Sequence, residues 1–265
     1  MKRLFFLLLF ISTTLLVFVG CNTNETDVKP IESTYDEAEI QKIKDYISEY
    51  YGINKKDLEI QGDEIIFQED IAFPIEGFWE IYGKTNDVSY GNQNLEKKHY
   101  RATLVSTPKP PRLIIINVLS STPSSWSDAL YDAKDEWNML NGNVRFSVQS
   151  SSRGMAKAIN IKGGDLRNSN TPARASLPYE GDPGLTITIN TKGSYLKPEE
   201  KTKTMVHEIG HTIGFYHTDE GTGTLITNVS KSCKNNIDTA SVMRQGRKSW
   251  VDFSPCDKQA FDALY

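Results

Sequence analysis

The chain has 265 residues, of which 38% are hydrophobic and 24% are charged, and its formal net charge is −4. This length supports one large domain, or a small domain with a medium one, and the acidic balance argues against nucleic acid or an anionic membrane surface as the main partner. The whole sequence contains four histidines and three cysteines, so any clustering of these residues is informative.

The first twenty residues are typical of a secretion signal. Lys2 and Arg3 precede the uncharged run "LFFLLLFISTTLLVFVG", and a small residue stands before the expected cut. The "FVGC" junction resembles a lipobox, with Phe18 in place of the usual Leu, and this implies a lipid on Cys21. An ordinary secretion signal or a short uncleaved anchor is the alternative, because about 17 apolar residues lie at the lower limit for a membrane span.

The sequence therefore predicts an exported protein, either a bacterial-type cell-envelope lipoprotein held in a membrane through Cys21 or a secreted protein. Loss of residues 1–20 removes Lys2 and Arg3 and changes the net charge from −4 to −6. Cys233 and Cys256 are then the two cysteines left, and a disulfide between them is expected in an exported chain. A free buried pair is the alternative, and thiolate ligation of zinc is disfavoured because no Cys-x-x-Cys spacing occurs.

Residues 21–33 are a polar tether, and residues 34–105 have the pattern of a small α+β unit. Thr34 and Glu37 form a capping box before apolar residues at helical spacing, and Gly52 ends this helix. The stretch "DLEIQGDEIIFQEDIAF" predicts two short strands that turn at Gly62-Asp63. The stiff "STPKPP" segment that follows is typical of a boundary.

Residues 112–265 predict a second unit with an α/β sheet and helices packed on it. "RLIIINVLS" is a continuous apolar run that suits an inner strand, and a helix is expected from about Ser124 to Leu140. Four further strand-like segments follow, broken by Gly and Pro. One helix then begins near Pro198 and another closes the chain, so the order of elements indicates an α/β (α+β) fold.

The stretch "HEIGHTIGFYH" holds three of the four histidines and predicts a metal centre. His207 and His211 stand one helical turn apart and can direct two imidazoles at one point. Gly214 can take the positive φ that ends a helix, which lets His217 turn back as a third ligand. Three imidazole nitrogens at about 2.0–2.1 Å from a zinc ion leave its fourth position open for water.

Glu208 lies beside this metal face and can act as a general base on such a water, because zinc lowers the pKa of the water from about 15.7 towards 7. These parts suffice to hydrolyse a peptide bond. An HExxH pattern alone also occurs in helices with two ordinary histidines, but the extended pattern here fixes five positions. The fourth histidine, His99, lies far from the motif and is expected to be a surface or packing residue.

The extended motif resembles that of the metzincin zinc endopeptidases. "HEIGH", the following "HTD", "RASLPYEGDPGLTITIN" and the closing Asp257–Tyr265 pattern are similar to the bacterial dual-action HEIGH metallopeptidases. The resemblance implies a twisted mixed sheet, an active-site helix, a methionine turn with Met243 as an apolar floor, and a C-terminal helix. It also implies that residues near Ala173 to Leu177 form an edge strand that pairs with substrate, and Gln245 stands where astacins carry a tyrosine ligand.

The N-terminal unit contains "FQEDI", which is similar to the Phe-x-Gly-Asp-Ile element by which astacin propeptides place an aspartate on zinc. This resemblance makes Asp70 a candidate latency switch and residues 34–105 a pro-like unit, although Glu69 replaces the glycine. A solvated acidic turn is the alternative interpretation.

The sequence therefore predicts a zinc endopeptidase that acts on protein or peptide substrates as a monomer. The alternative from another class is a non-catalytic surface lipoprotein that binds protein or glycan and keeps zinc for structure, but a structural site needs no Glu208. Carboxylates in the "GDP" and "KGGD" loops could bind Ca²⁺, although such stretches are more often plain turns.

Overall fold

The computed structural model describes seven segments of the chain, namely residues 35–83, 99–102, 104–105, 111–167, 170–192, 195–235 and 237–265. Within them, residues from Tyr35 to Tyr265 form one compact unit. The predicted signal segment, Cys21 and the tether lie outside the described residues. Across the described residues, every helix is too short or too polar to cross a membrane.

The N-terminal region begins with helix α1 (Glu37–Tyr51). Its N-cap is Asp36, whose carboxylate accepts a hydrogen bond from Ala38 N, so the helix starts later than the expected Thr34 capping box. Gly52 ends it at φ 69°, a conformation that glycine adopts without steric cost. The buried side of α1 carries isoleucines and tyrosines at helical spacing.

Three short antiparallel strands follow α1, namely β1 (Leu58–Gln61), β2 (Glu64–Phe67) and β3 (Ile71–Pro74). The predicted turn at Gly62 is confirmed, with φ 70° at that residue. Helix α2 (Phe78–Tyr82) and strand β4 (Tyr100–Arg101) complete the described part of this region.

The second region supplies most of the sheet. Its elements up to the active-site helix are β5 (Arg112–Leu119), α3 (Ser127–Met139), β6 (Val144–Ser151), β7 (Ile159–Gly164), β8 (Ala173–Ala175) and β9 (Thr186–Asn190). The described strands form an eight-stranded mixed sheet in the order β1-β2-β3-β8-β9-β7-β5-β6. The apolar strand β5 pairs in parallel with both β6 and β7, which confirms its predicted inner position.

Four further elements follow, namely α4 (Pro198–Thr212), β10 (Thr224–Leu225), α5 (Lys231–Asn235) and α6 (Pro255–Leu264). Pro198 stands in the first turn of α4, and the Glu200 carboxylate accepts a hydrogen bond from Lys197 N at 2.8 Å. The main core lies between the sheet and helices α3, α4 and α6. Every residue of α4 from Lys201 to Thr212 is buried, so this helix is enclosed on all sides.

One expectation is corrected by the sheet order. Strand β8 does not form the edge of the sheet, because β3 pairs with it in parallel through Ile71 and Ala175. The N-terminal strands thus extend the sheet on the side where an extended substrate was expected to pair. The mixed α/β fold is confirmed, and the division into units at residues 34–105 and 112–265 stays a prediction.

Candidate metal centre

The three motif histidines converge at one point. Helix α4 places His207 Nε2 3.0 Å from His211 Nε2. Gly214 then adopts φ 106° and turns the chain, so His217 Nε2 lies 3.0 Å from that of His207 and 3.1 Å from that of His211. All three side chains are buried.

The hydrogen bonds of the two helical histidines define which ring nitrogen carries a proton. His207 Nδ1 lies 2.7 Å from Val242 O, and His211 Nδ1 lies 2.7 Å from Phe215 O. A carbonyl oxygen only accepts, so both Nδ1 atoms must donate, and both Nε2 atoms present lone pairs. Burial lowers the pKa of His207 to about 4 and that of His211 well below its usual value, which favours these neutral forms.

These nitrogens fit a zinc ion. Facing lone pairs about 3 Å apart repel one another unless a cation lies between them, and tetrahedral zinc with nitrogens at 2.0–2.1 Å would set them about 3.3 Å apart. At zinc centres a backbone carbonyl usually accepts a hydrogen bond from the ring nitrogen that does not bind the metal, and so orients the imidazole. Val242 O and Phe215 O do this here for His207 and His211.

Glu208 places a buried carboxylate close to the three histidines. It lines a cavity together with His207 and Asp70, and its Oε2 has no hydrogen-bond partner among the described residues. Burial, and then the negative charge of Asp70, raise the pKa of Glu208 well above its usual value. A carboxylate in this environment can hold a proton as well as accept one.

Met243 is buried against the backbone of α4 between the two helical histidines. A Cβ atom on Gly210 would come within 2.5 Å of Met243 Sδ, so the motif glycine is required for this contact. Met243 O accepts a hydrogen bond from Thr218 N, next to His217. The structure thus places Met243 where the resemblance puts the methionine floor.

Asp257 secures the methionine turn from helix α6, a role that sequence reasoning missed. Its Oδ2 accepts from Val242 N at 2.9 Å and its Oδ1 accepts from Ser241 Oγ at 2.6 Å. Val242 in turn holds His207, so Asp257 positions a ligand through one residue. The Ser254–Asp257 capping box was the sequence signal for a buried carboxylate at this end of α6.

The expectation of a surface position for His99 is wrong, and its packing alternative is correct. His99 is 3% exposed, and its Nε2 lies 2.9 Å from Asp257 Oδ1. Burial alone would raise the pKa of Asp257, but the hydrogen bonds from His99 and Ser241 and other contacts lower it overall. His99 therefore completes the set of donors around Asp257.

Asp70 lies directly over the three imidazoles. Its Oδ2 is 3.2 Å from the Nε2 atoms of both His207 and His217, and its Oδ1 is 3.6 Å from His211 Nε2. The carboxylate thus occupies the position that a water or a substrate oxygen would need.

The backbone around Asp70 is held in a sharp turn. Gln68 and Glu69 have φ values of 51° and 71°, so Glu69, which stands where the similar element has glycine, adopts the left-handed conformation. Ala175 N donates to Asp70 O at 2.8 Å, and Arg174 Nε donates to Glu69 O at 3.0 Å. Gln245 Nε2 donates to Gln68 O at 3.2 Å, so strand β8 and the chain after Met243 both bind this turn.

Other predicted positions have mixed outcomes. Cys233 and Cys256 are joined by a disulfide that links α5 to α6. The carboxylates of the two loops considered for Ca²⁺ are paired with cations, because Asp165 binds Lys192 at 2.8 Å and Asp182 binds Arg112 at 2.6 Å. These loops thus have cationic partners in place of a calcium ion.

Lys203 is a second residue that sequence reasoning missed. It stands one turn before His207 on α4, is buried, and donates to Arg244 O at 3.1 Å and to Gly246 O at 3.3 Å. Burial lowers its pKa to about 8. A lysine four residues before the first histidine, on the same helix face, was the available signal.

Known proteins provide an independent comparison. A family model for dual-action HEIGH metallo-peptidases matches residues 84–242, which is more than half of the chain. Blastula protease 10 of Paracentrotus lividus is 29% identical over 121 residues, which are 46% of this chain and 19% of that protein. The chain thus matches about a fifth of the length of this curated relative.

Two solved structures are also similar. Myroilysin has a TM-score of 0.40 at 17% identity, with 60% of this chain and 86% of that chain covered. High choriolytic enzyme 1, a hatching enzyme zinc-protease from Oryzias latipes, has a TM-score of 0.39 at 15% identity, with 61% and 93% covered. The match of the family model carries the assignment: the chain belongs to the dual-action HEIGH metallo-peptidases, a membership that implies zinc as the metal.

Proposed function

We propose that this metallopeptidase is an exported zinc endopeptidase in which Glu208 is the general base and Asp70 holds the uncleaved chain inactive. The convergence of three imidazole Nε2 atoms within 3.1 Å of one another, beside a buried carboxylate, carries the proposal. With Asp70 over the three imidazoles, a zinc site kept for structure would already be complete, and it would have no use for a second, unpaired carboxylate such as that of Glu208.

Each residue has a defined task in the reaction. Zinc, when bound by the three imidazoles, lowers the pKa of a water towards 7 and polarises the substrate carbonyl. Glu208 accepts the proton that this water loses and donates it to the leaving amine, and its burial makes it a stronger base for the first step by raising its pKa. The carbonyl oxygens of Val242 and Phe215 keep His207 and His211 in the tautomer that leaves Nε2 available to the metal.

The general-base assignment is tested by adding Glu208→Gln to the Asp70→Ala chain, in which Asp70 no longer covers the site; the change keeps the size of the side chain and removes its basicity. Peptide cleavage should fall by about 10²- to 10⁴-fold, while zinc content per chain stays unchanged. Glu199→Gln is the matched control, because Glu199 is an exposed acid on the same helix. Equal cleavage by the Asp70→Ala chain with and without Glu208→Gln would remove the assignment, and zinc binding without cleavage by the Asp70→Ala chain itself would favour the non-catalytic lipoprotein.

The latency assignment rests on the contacts of Asp70 with all three histidines and on the pairing of β3 with β8. The intact Asp70→Ala chain should therefore cleave peptides faster than the intact wild type. Asp63→Ala is the control, because Asp63 lies exposed in the β1–β2 turn of the same region. An intact Asp70→Ala chain that is no more active than wild type would exclude the switch.

The proposed location is the cell envelope, through a lipid on Cys21, and the support is the "FVGC" junction after an apolar segment. Labelling with a radioactive fatty acid should mark the wild-type chain in a bacterial host and should not mark Cys21→Ser. A wild-type chain that is exported without label would instead support ordinary secretion without a lipid.

A further inference from the structure

A small cavity next to the metal centre has a cationic floor. It is bounded by Lys203, Thr204 and Glu208 of α4 and by residues 245–247 after the methionine turn. The turn at Glu69 and Asp70 forms part of its present wall. If that turn leaves on activation, the cavity opens beside Glu208.

The Lys203 ammonium in this cavity makes no direct ion pair, and the negative charges of Asp70, Glu208 and Asp219 act on it only from a longer distance. Lys203 is only 7% exposed, and its ammonium donates hydrogen bonds to the neutral carbonyl oxygens of Arg244 and Gly246. His207 Nδ1 lies 3.4 Å from Nζ but donates its own hydrogen to Val242 O, so it cannot accept. In the described part of the chain, no carboxylate oxygen lies within 4.0 Å of Nζ.

A buried ammonium that makes no direct ion pair is costly, and a carboxylate from outside the protein that binds it directly would offset that cost. Arg247 lies at the rim of the same cavity and adds a second positive charge. The acidic residues in the wall are Glu69, Asp70 and the general base Glu208. Without the Glu69–Asp70 turn, the cavity therefore has two cations and one catalytic carboxylate.

The position of Glu208 shows which part of a substrate would enter. Glu208 must deliver its proton to the leaving amine, so the residue that supplies this amine lies on the Glu208 side of the site. A side chain of that residue that enters the cavity meets Glu208, Thr204 and Lys203, which line it. The charge of Lys203 therefore acts on the residue directly after the scissile bond.

We propose that Lys203 is a specificity-determining residue that makes this endopeptidase prefer Asp or Glu immediately after the scissile bond. The inference rests on the proposed function, and it deepens it by naming the substrate class. The rival role for Lys203 is mechanical, because its bonds to Arg244 O and Gly246 O also brace the loop after Met243.

The test uses two peptides that differ only in Asp or Asn after the scissile bond, a change that removes charge and preserves shape. The enzyme is the full chain carrying Asp70→Ala, assayed beside the unmodified full chain. We expect kcat/KM to be roughly 10- to 100-fold higher for the Asp peptide, as for a hydrogen bond between charged groups. Lys203→Met should bring this ratio close to one, and Lys203→Arg should keep it above one.

Lys201→Met is the matched control, because Lys201 is also buried on α4 but donates to Ser125 O and lies over the Trp126 ring, away from the cavity. This variant should keep the wild-type ratio. A purely mechanical role predicts instead that Lys203→Met slows both peptides equally and leaves the ratio unchanged, and that result would overturn the proposal.

Two further readouts separate this inference from the proposed function. A ratio near one in the chain with Lys203 intact overturns the inference while cleavage itself supports the peptidase, whereas a chain that cleaves neither peptide refutes the proposed function. Calorimetric titration of the Asp70→Ala, Glu208→Gln chain with product peptides that begin with Asp or Asn measures the same preference without turnover. Equal affinity for the two peptides would also overturn the inference.

Discussion

The N-terminal region and the catalytic region of this chain are stabilised by different cores. The catalytic core is largely aliphatic, with Trp126 and Trp137 as its tryptophans among the described residues. The N-terminal core is rich in aromatic rings, namely Tyr50, Tyr51, Phe67, Phe73, Phe78, Tyr82, Tyr100, Tyr179 and Tyr216. Two of these rings, Tyr179 and Tyr216, come from the catalytic region, so the aromatic cluster joins the two regions.

The backbone pairing differs in the same way. Strands β5 and β6 of the catalytic region pair from Arg112–Val144 to Leu119–Ser151, whereas β3 and β8 share the single pair Ile71 and Ala175. Backbone pairs also cross the junction between β4 and β10, and Arg174 adds side-chain bonds to Gln61, Glu64 and the Glu69 carbonyl. The comparison teaches that one region builds the metal centre and the other lies over it through Asp70.

The largest effect is expected from His211→Ala in the Asp70→Ala chain, which removes one of the three ligands that the catalytic region supplies. The variant should lose its zinc and all measurable cleavage, because two imidazoles do not hold the metal as three do. Metal analysis after dialysis, together with a peptide assay, measures both. A variant that retains one zinc per chain would contradict the assignment of the metal to the three histidines of the catalytic region.

Phe73→Ala and Phe261→Ala sharpen the comparison, because both rings are fully buried but belong to different cores. Each should cost about 3–5 kcal/mol in the free energy of unfolding. Phe73→Ala, on β3, should in addition raise cleavage by the intact chain because it loosens the strand after Asp70. Phe261→Ala should bring no such rise, and equal activation by both variants would contradict separate roles for the cores.

The disulfide is expected to stabilise the catalytic region alone. It closes a loop with a sequence separation of 23 residues, so its loss in the double variant Cys233→Ser, Cys256→Ser should lower the free energy of unfolding by about 3 kcal/mol. Denaturant unfolding measures this difference, and reduction of the wild type should reproduce it. Activity of the intact chain should stay low, because no N-terminal contact is removed.

The smallest effect concerns Asp257 and low pH. Burial raises the pKa of this carboxyl, but hydrogen bonds from His99 and Ser241 outweigh burial. The pKa of Asp257 in the folded protein therefore lies below its usual value of 3.8. Its stabilising contribution is therefore present above about pH 4 and is lost as the pH falls through the folded pKa. Asp257→Asn should flatten this acid-induced fall in melting temperature, whereas Asp262→Asn on the exposed side of α6 should leave it unchanged.

Local sequence patterns predicted the parts of the site that lie close together in the chain. Pro198 and the apolar spacing gave α4, Gly214 gave the turn, and these two features suffice to bring His207, His211 and His217 together. The inner position of β5 followed from its continuous apolar run. Each of these features depends on residues within about ten positions of one another, where periodicity and turn chemistry are informative.

Features set by distant residues could not be derived in this way. The pairing of β3 with β8 joins residues about 100 positions apart, so the cover over the expected edge strand had no local signal. His99 and Asp257 meet across an even longer separation, and the unpaired ammonium of Lys203 depends on the loop after Met243. Asp70 was placed through a short resemblance, because no physical rule connects that turn to the zinc motif.

Zinc-edge X-ray absorption on the intact, zinc-loaded chain tests the central claim most directly. The account predicts three imidazole nitrogens and one carboxylate oxygen around the metal, with the carboxylate replaced when Asp70→Ala is measured in the same way. Sulfur ligands, fewer than three imidazoles, or a spectrum that Asp70→Ala leaves unchanged would contradict a catalytic zinc closed by the chain's own N-terminal region.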